Sequence, residues 1–375
     1  MLTHVQLVTL HRSLRSERVL SVYIDGTAAD PARQRAWRVQ LDHSLDDLRA
    51  WLADASKDER EQLERCIHLL EDQLAAFAGG VGAPGWAAFI TANSVRDAHQ
   101  LPVPVPTLAV WSTGACLAPY MRALKETRPV VIAVADARKV DLYRYCVRKA
   151  DRVETLRAHH AVDKPLHMGT PPKQGFHTGT RGTAGHDTAQ RSLLAGRDRM
   201  LAEAAERIRD LAGADGWIVL GGIPRVVARL AQQLSPITPH RVLELAALDV
   251  HASEADIAEA ARAGASTLRD ASDGRRVAEI ADLAEAGGLG VVGPTATRRA
   301  LEQSCVHELY LTHQYLEDHA ADAEDVVRAA LDQDALVEEV SGDTAKRLDE
   351  HGGVAAHLRY RVAEAEGALE RAVHE

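Results

Sequence analysis

Basic, histidine and glycine residues crowd one stretch, 173–191, which reads KQGFHTGTRGTAGHDTAQR. Lys173, Arg181 and Arg191 supply fixed positive charge, His177 and His186 supply imidazoles, and Gly175, Gly179, Gly182 and Gly185 open the backbone to close approach. These are the parts that polyanion recognition uses. Cationic side chains neutralise phosphate, backbone amides hydrogen-bond its oxygens, and imidazoles hydrogen-bond or stack on bases. Phe176 is almost the only large apolar anchor, so the composition predicts an exposed, mobile loop over 173–187. The competing reading is a surface insertion that carries no chemistry. Asp187 reads as an N-cap with Gln190 three residues on, which predicts a long amphipathic helix from Thr188 to about Ala212.

Other chemistry leaves no comparable signature. The chain has no P-loop, no G-x-G-x-x-G, no G-x-S-x-G and no H-E-x-x-H. Gly221-Gly222 after an apolar run resembles half of a phosphate-binding turn. Cys66, Cys116, Cys146 and Cys305 are scattered and form no C-x-x-C, which reads as buried or incidental thiols in a reducing compartment. The 18 histidines show no metal-ligand spacing, and His159-His160 reads as a surface doublet. The expectation is no metal and no cofactor. Asp136 and Arg138 read as a turn, and the acidic run Glu317 to Asp325 as a solvated helix start.

The whole chain bounds these readings. At 375 residues it predicts two or three domains. A net charge of −10 excludes a protein whose entire surface grips nucleic acid, but leaves room for a local basic contact. Aromatics at 4% argue against a base-stacking platform. The sequence shows no bilayer-spanning apolar run and no signal-peptide pattern, so it predicts a cytoplasmic protein without membrane contact.

The elements that must position the loop follow in order. Leu20–Asp25 alternates as a strand, two helices run over about 31–55 and 57–76, and Trp86–Thr91 reads as a buried strand. LPVPVP at 101–106 cannot be a central strand, because three prolines remove three donors. Leu108–Trp111 is a strand candidate and Pro119–Lys125 a helix. Strands at 129–135, 140–147 and 153–159 form a meander, followed by the loop, its helix, a strand at 217–220, a helix opened by Pro224, and a strand at 241–246. A long helix over about 253–286 is expected to break near Asp273-Gly274. Shorter strands and helices then alternate to about 362. The fold class is α/β in three domains: 1–127, 128–252 with a mixed sheet, the glycine-rich loop and a long helix, and 253–375 as a small three-layer domain.

The closing phrase VEEVSGDTAKRLDEHGGVAAHLRYR, from Val337 to Arg361, resembles the end of the archaeal and eukaryotic class-1 peptide-chain release factors and Pelota. CVHELYLTH at Cys305–His313 resembles that family's helix-then-strand element, and bacterial relatives, a ribosome hibernation factor among them, are similar in layout and length. The resemblance covers about residues 129–362. It implies a last domain like ribosomal protein L7Ae, which would contact a translational GTPase. It also implies a place in the ribosomal A site, with the middle-domain loop reaching rRNA near the peptidyl-transferase centre. By that comparison Lys173, His177, Arg181, Gly182, Gly185, His186 and Arg191 are the RNA-binding candidates. True release factors carry G-G-Q in the loop; here the corresponding place reads Arg181-Gly182-Thr183-Ala184-Gly185-His186-Asp187. The first domain also lacks an N-I-K-S codon-reading motif. The leading expectation is therefore a non-catalytic factor occupying stalled, stressed or hibernating ribosomes. One alternative is a rescue factor that hydrolyses peptidyl-tRNA through the loop, with His186 as its catalytic candidate. The second is a cytoplasmic stress-related regulatory protein without ribosome contact.

Overall fold

The computed structural model describes residues 2–27, 36–77, 80–126, 128–146, 149–158, 182–213, 215–236 and 240–363. They fall into two compact units. One comprises 1–127 with 273–375, the other 128–272.

The first stretch opens with α1 (His4–Leu14), where Thr3 and Gln6 close a capping box. Then come β1 (Arg18–Asp25), α2 (Ala36–Trp51), α3 (Lys57–Leu74), β2 (Gly85–Thr91), β3 (Ser94–Leu101), β4 (Leu108–Thr113) and α4 (Met121–Glu126). The sheet order is β3-β2-β1-β4, antiparallel throughout. Along β1 the side chains alternate between two cores. Leu20, Val22 and Ile24 pack with Leu41, Leu63 and Leu70 of α2 and α3. Val19 and Tyr23 face the other way, into a core built partly from residues beyond 300. Both faces are covered, so the strand is buried along nearly its whole length and the alternation expected for Leu20–Asp25 does not mark a solvated face. Helix α1 and strand β3 were not among the expected elements. β3 is a polar edge strand, and its exposed side chains mask the alternation.

The middle unit contains β5 (Val130–Ala135), β6 (Lys139–Cys146), β7 (Lys149–Arg157), α5 (Gly182–Ala212), β8 (Trp217–Gly222), α6 (Pro224–Leu234), β9 (Val242–Glu244) and the start of α7 (Glu254–Glu285). The sheet order is β7-β6-β5-β8-β9, with an antiparallel meander on one side and parallel pairs on the other. On one face Val131, Ala133 and Ala135 meet Leu201 and Ile208 of α5 and Leu230 of α6. On the other face Val130, Ile132 and Val134 meet Ile257, Ala261 and Leu268 of α7. The meander, the mixed sheet and the helix opened by Pro224 are as expected. Helix α7 corrects one expectation, because it runs unbroken through Asp273-Gly274. A mid-helix glycine costs only about 1 kcal/mol, and Asp273 is held by Lys125 Nζ at 2.6 and 2.7 Å.

The last stretch contains β10 (Gly290–Val292), α8 (Pro294–Glu302), β11 (Val306–Thr312), α9 (His313–Asp318), α10 (Ala320–Asp332), β12 (Leu336–Val340), α11 (Gly342–Asp349) and β13 (Val354–Leu358). The sheet order is β10-β13-β11-β12. The closing phrase of the sequence is β12-α11-β13. Its glycine doublet has a backbone reason. Gly353 sits at φ +75°, and a Cβ there would lie 2.7 Å from Thr312 Oγ1 and 2.8 Å from Tyr315 Cβ. Leu309, Leu311, Val327, Leu331 and Val354 pack with Leu7, Leu14, Tyr120 and Met121 in a single core. The first and last stretches of the chain are therefore one packed body.

Candidate nucleic-acid interface

The loop expected to reach a polyanion must be anchored at β7 and α5. β7 is the outer strand of the middle sheet and pairs with β6. Its polar side chains tie it down. Thr155 Oγ1 donates to Asp141 Oδ1 (2.6 Å) and Lys139 Nζ to Asp141 Oδ2 (2.6 Å), with Arg152 4.0 Å away. Burial alone would raise the Asp141 carboxyl, but these partners outweigh it and hold it below the usual aspartate range. Arg207 Nε of α5 donates to Glu154 of β7 (2.7 Å), which joins the strand to the helix. α5 spans 31 residues, about 46 Å at the α-helical rise. Met200, Leu201, Ala204, Ala205, Ile208 and Ala212 hold its second half against the sheet. The stretch between β7 and α5 thus leaves from an edge strand and returns to the first turn of a long, anchored helix.

Lys173, His177 and Arg181 lie outside the described residues. Gly182, Gly185, His186 and Arg191 lie in α5, whose backbone is helical there; their side chains are outside the described set. This corrects the expected helix start. Asp187 is not the N-cap, and Gly182, Gly185 and His186 belong to the helix rather than the loop. Once a helix has formed, each added residue gains a hydrogen bond, so two glycines do not stop it.

Charge is distributed unevenly along the chain. Residues 128–212, from the start of the middle unit to the end of α5, hold 16 Lys and Arg against 10 Asp and Glu, a net of +6 in a chain of −10. Arg152 and Arg207 are about half exposed, and Arg157 and Arg199 are exposed. Whole-chain composition hides this segregation, and a count by segment would have found it.

Two weaker sequence signals resolve as structure. Gly222 N donates to Leu248 O (2.7 Å), and Ile223 N donates to Ala135 O (2.9 Å). A Cβ on Gly222 would lie 2.1 Å from Ala135 O. The amides of Gly222 and Ile223 thus serve strand packing and are not available to a phosphate turn. Asp136 Oδ1 accepts from the amides of Arg138 (2.5 Å) and Lys139 (2.8 Å), the turn expected from sequence. Among the described residues no group of three or more His, Cys, Asp and Glu could hold a metal ion, and no helix is long and apolar enough to cross a membrane.

The acidic run Glu317–Asp325 is not wholly solvated. Glu324 is buried and accepts from the amides of Leu117 (2.9 Å) and Ala118 (2.8 Å) and from Arg328 Nε (2.8 Å). Arg328 also donates to the carbonyls of Thr113 (3.0 Å) and Ala115 (2.9 Å). This clamp joins the first stretch to the last. Its sequence signal is the i, i+4 acid–base pair on the apolar face of α10.

Residues 116–266 match the model of bacterial archaeo-eukaryotic release factor family 10. No curated protein matches the chain. Among solved structures it is similar to an archaeal translation termination factor, aRF1, at 16% identity, covering 96% of this chain and 99% of that one, TM-score 0.26. Ribosome-bound archaeal Pelota, described together with ABCE1, is similar at 15% identity over 74% and 78% of the two chains, TM-score 0.43. Dom34 of S. cerevisiae, described as a translation termination-like factor interacting with Hbs1, is similar at 11% over 64% and 66%, TM-score 0.44.

Proposed function

We propose that this chain, a bacterial member of the archaeo-eukaryotic release factor and Pelota superfamily, is a ribosome-binding translation factor that occupies the A site of stalled or hibernating ribosomes. The observation that carries the reading is the positive segment 128–212, which lies within the family match apart from residues of the same acidic chain. A ribosome binder of net charge −10 must concentrate its cations where rRNA is met and keep its acidic surface turned away. Lys173, Arg181 and Arg191 take phosphates, His177 and His186 hydrogen-bond or stack on bases, and the glycine backbone amides of the stretch approach phosphates. The stretch reaches toward the peptidyl-transferase centre. The last stretch, from β10 to β13, is the side that meets a translational GTPase, and the protein works in the cytoplasm.

Hydrolysis is not part of this reading. The tripeptide G-G-Q is absent from the 173–191 stretch, and the helix starts at Gly182, so His186 stands one turn inside it. The test has two arms. Co-sedimentation with ribosomes across a salt series measures binding. Each lost phosphate contact lowers the log–log salt slope by roughly 0.7–0.9, so the triple alanine variant of Lys173, Arg181 and Arg191 flattens it by about 2–3. A release assay on ribosomes loaded with peptidyl-tRNA measures chemistry and shows no release above background. Release that His186→Ala abolishes while binding persists would make the protein a rescue hydrolase instead.

A further inference from the structure

A cavity of about 400 Å³ opens in the unit formed by the first and last stretches. This lies within the usual range of small-molecule sites, about 300–1,000 Å³. Its apolar wall is made by Pro104, Pro106 and Pro119 with Leu108, Val110 and Leu316. Pro104 and Pro106 lie in the unpaired segment between β3 and β4, and Pro119 in the short 3-10 turn before α4, so side chains rather than a neighbouring strand border the space. Leu108 and Val110 belong to β4, the edge of its sheet.

The polar end differs in kind. His313, Glu317, Glu339 and Arg122 line it. The His313 ring stands between two carboxylates, with Nε2 3.0 Å from Glu317 Oε1 and Nδ1 3.5 Å from Glu339 Oε1. Glu317 is 66% exposed, but the Glu339 side chain is only 9% exposed. Behind it Lys125 Nζ is occupied by Asp273 and by the Glu339 backbone carbonyl (2.8 Å), with Glu338 3.5 Å away. Glu126 adds another negative charge nearby. The carboxylates that line this end are Glu317 and Glu339, beside the His313 imidazole and Arg122.

Glu324 shows what a buried carboxylate in this unit looks like when its role is structural. Two backbone amides and Arg328 hold it, each at 2.9 Å or less. Glu339 lines a cavity, and its carboxylate approaches the His313 ring at the longer distance of 3.5 Å.

We propose that this cavity is a binding site for a small molecule with a primary ammonium head on an apolar body. The ammonium donates to Glu339 and Glu317 at the polar end, and the body lies along the proline wall. An ammonium carries three donors and a full charge, so it can meet both lining carboxylates with charge-assisted hydrogen bonds. Arg122 is exposed at the rim and makes no recorded pair among the described residues. It distinguishes two sources of the same head: a free apolar amino acid brings a carboxylate for Arg122, and a simple amine does not. Occupancy stabilises the unit, because the walls come from residues 104–122 and 313–339 and binding to the folded state favours it.

The test is calorimetry and thermal unfolding of the full chain with three probes: tryptamine, tryptophan and indole-3-propionate. Tryptamine and tryptophan bind saturably, one per chain, and raise the unfolding temperature; indole-3-propionate does neither. Glu339→Gln weakens both amines by about tenfold or more, the scale of one charged hydrogen bond. Arg122→Ala weakens tryptophan and leaves tryptamine unchanged if amino acids are the source, and leaves both unchanged if amines are. Glu317→Gln, at an exposed position, is the second carboxylate variant and weakens amine binding with no risk to folding. The proposal is overturned by any of three results: no saturable binding of either amine at millimolar concentration, equal binding of indole-3-propionate, or amine binding that both carboxamide variants leave unchanged. None of these outcomes depends on whether the chain binds ribosomes.

Discussion

The middle unit and the unit built from the two chain ends use charge in opposite ways. In the middle unit Arg229 pairs with Asp198 and Arg207 with Glu154 and Asp210 at the surface, and basic residues outnumber acidic ones up to the end of α5. In the other unit Lys125, Asp273, Glu324, Glu338 and Glu339 are buried. Exposed pairs are screened and add little to stability, so their charge is free to act on a partner. Buried charges are costly to strip of a partner, so they hold segments together. The same residue types thus lie mostly at the surface in one region, Asp141 excepted, and hold buried segments together in the other.

The sharpest way to break this contrast is Glu324→Ala. It leaves the Leu117 and Ala118 amides and the Arg328 guanidinium without their acceptor. We expect a loss of about 3–5 kcal/mol in urea unfolding; a loss under about 1 kcal/mol would make the clamp incidental. Next in size is Gly353→Ala. The positive φ and the close approach of Thr312 and Tyr315 should cost about 1–3 kcal/mol in the same measurement. Glu339→Gln separates the two buried carboxylates in sign. Burial pushes the Glu339 carboxyl up from the usual glutamate range, with His313, Arg122 and Lys125 opposing. A folded-state acid with a raised pKa binds protons more tightly than the unfolded chain, so stability falls as pH rises through that interval. The carboxamide should therefore unfold at neutral pH at a temperature no lower than the parent. A clear drop would show that the charged form is structurally required.

Asp141 runs the other way. Its carboxyl is held low, so its contribution is present above the ordinary aspartate range and is lost as pH falls through its folded value. Asp141→Asn should remove part of the acid limb of the stability profile and do so only there if its pairing is local. The smallest effect belongs to Arg207→Ala, an exposed pair that should leave the unfolding temperature unchanged while weakening ribosome binding.

Much of the scaffold is legible in the sequence. VVIAVA and WIVL are apolar without alternation because both faces of the middle sheet are covered. Pro224 and Pro294 stand in the first turns of their helices, and Ser253 with Asp256 caps α7, each readable from position alone. Less was legible where tertiary contact overrides local preference. Gly274 stays helical beside the buried Lys125–Asp273 pair. Glu324 sits within an acidic run that reads as solvated, and its burial depends on amides more than 200 residues away in sequence. The core shared by Leu7, Tyr120, Leu309 and Val354 leaves no trace in periodicity, because spacing reports which face is apolar and not what covers it. At the candidate interface the residue types were readable, as was the helix that receives the stretch. The start of that helix was not, because glycines and a good capping residue favour a later one.

The central proposal is that the positive segment 128–212 meets ribosomal RNA. Ribosome co-sedimentation across a salt series, with the parent chain and the triple alanine variant of Lys173, Arg181 and Arg191, tests it most directly. The account predicts a ribosome-bound fraction that falls steeply with salt in the parent and less steeply in the variant. The absence of a ribosome-bound fraction at low salt, or a salt slope identical in the two proteins, would contradict it.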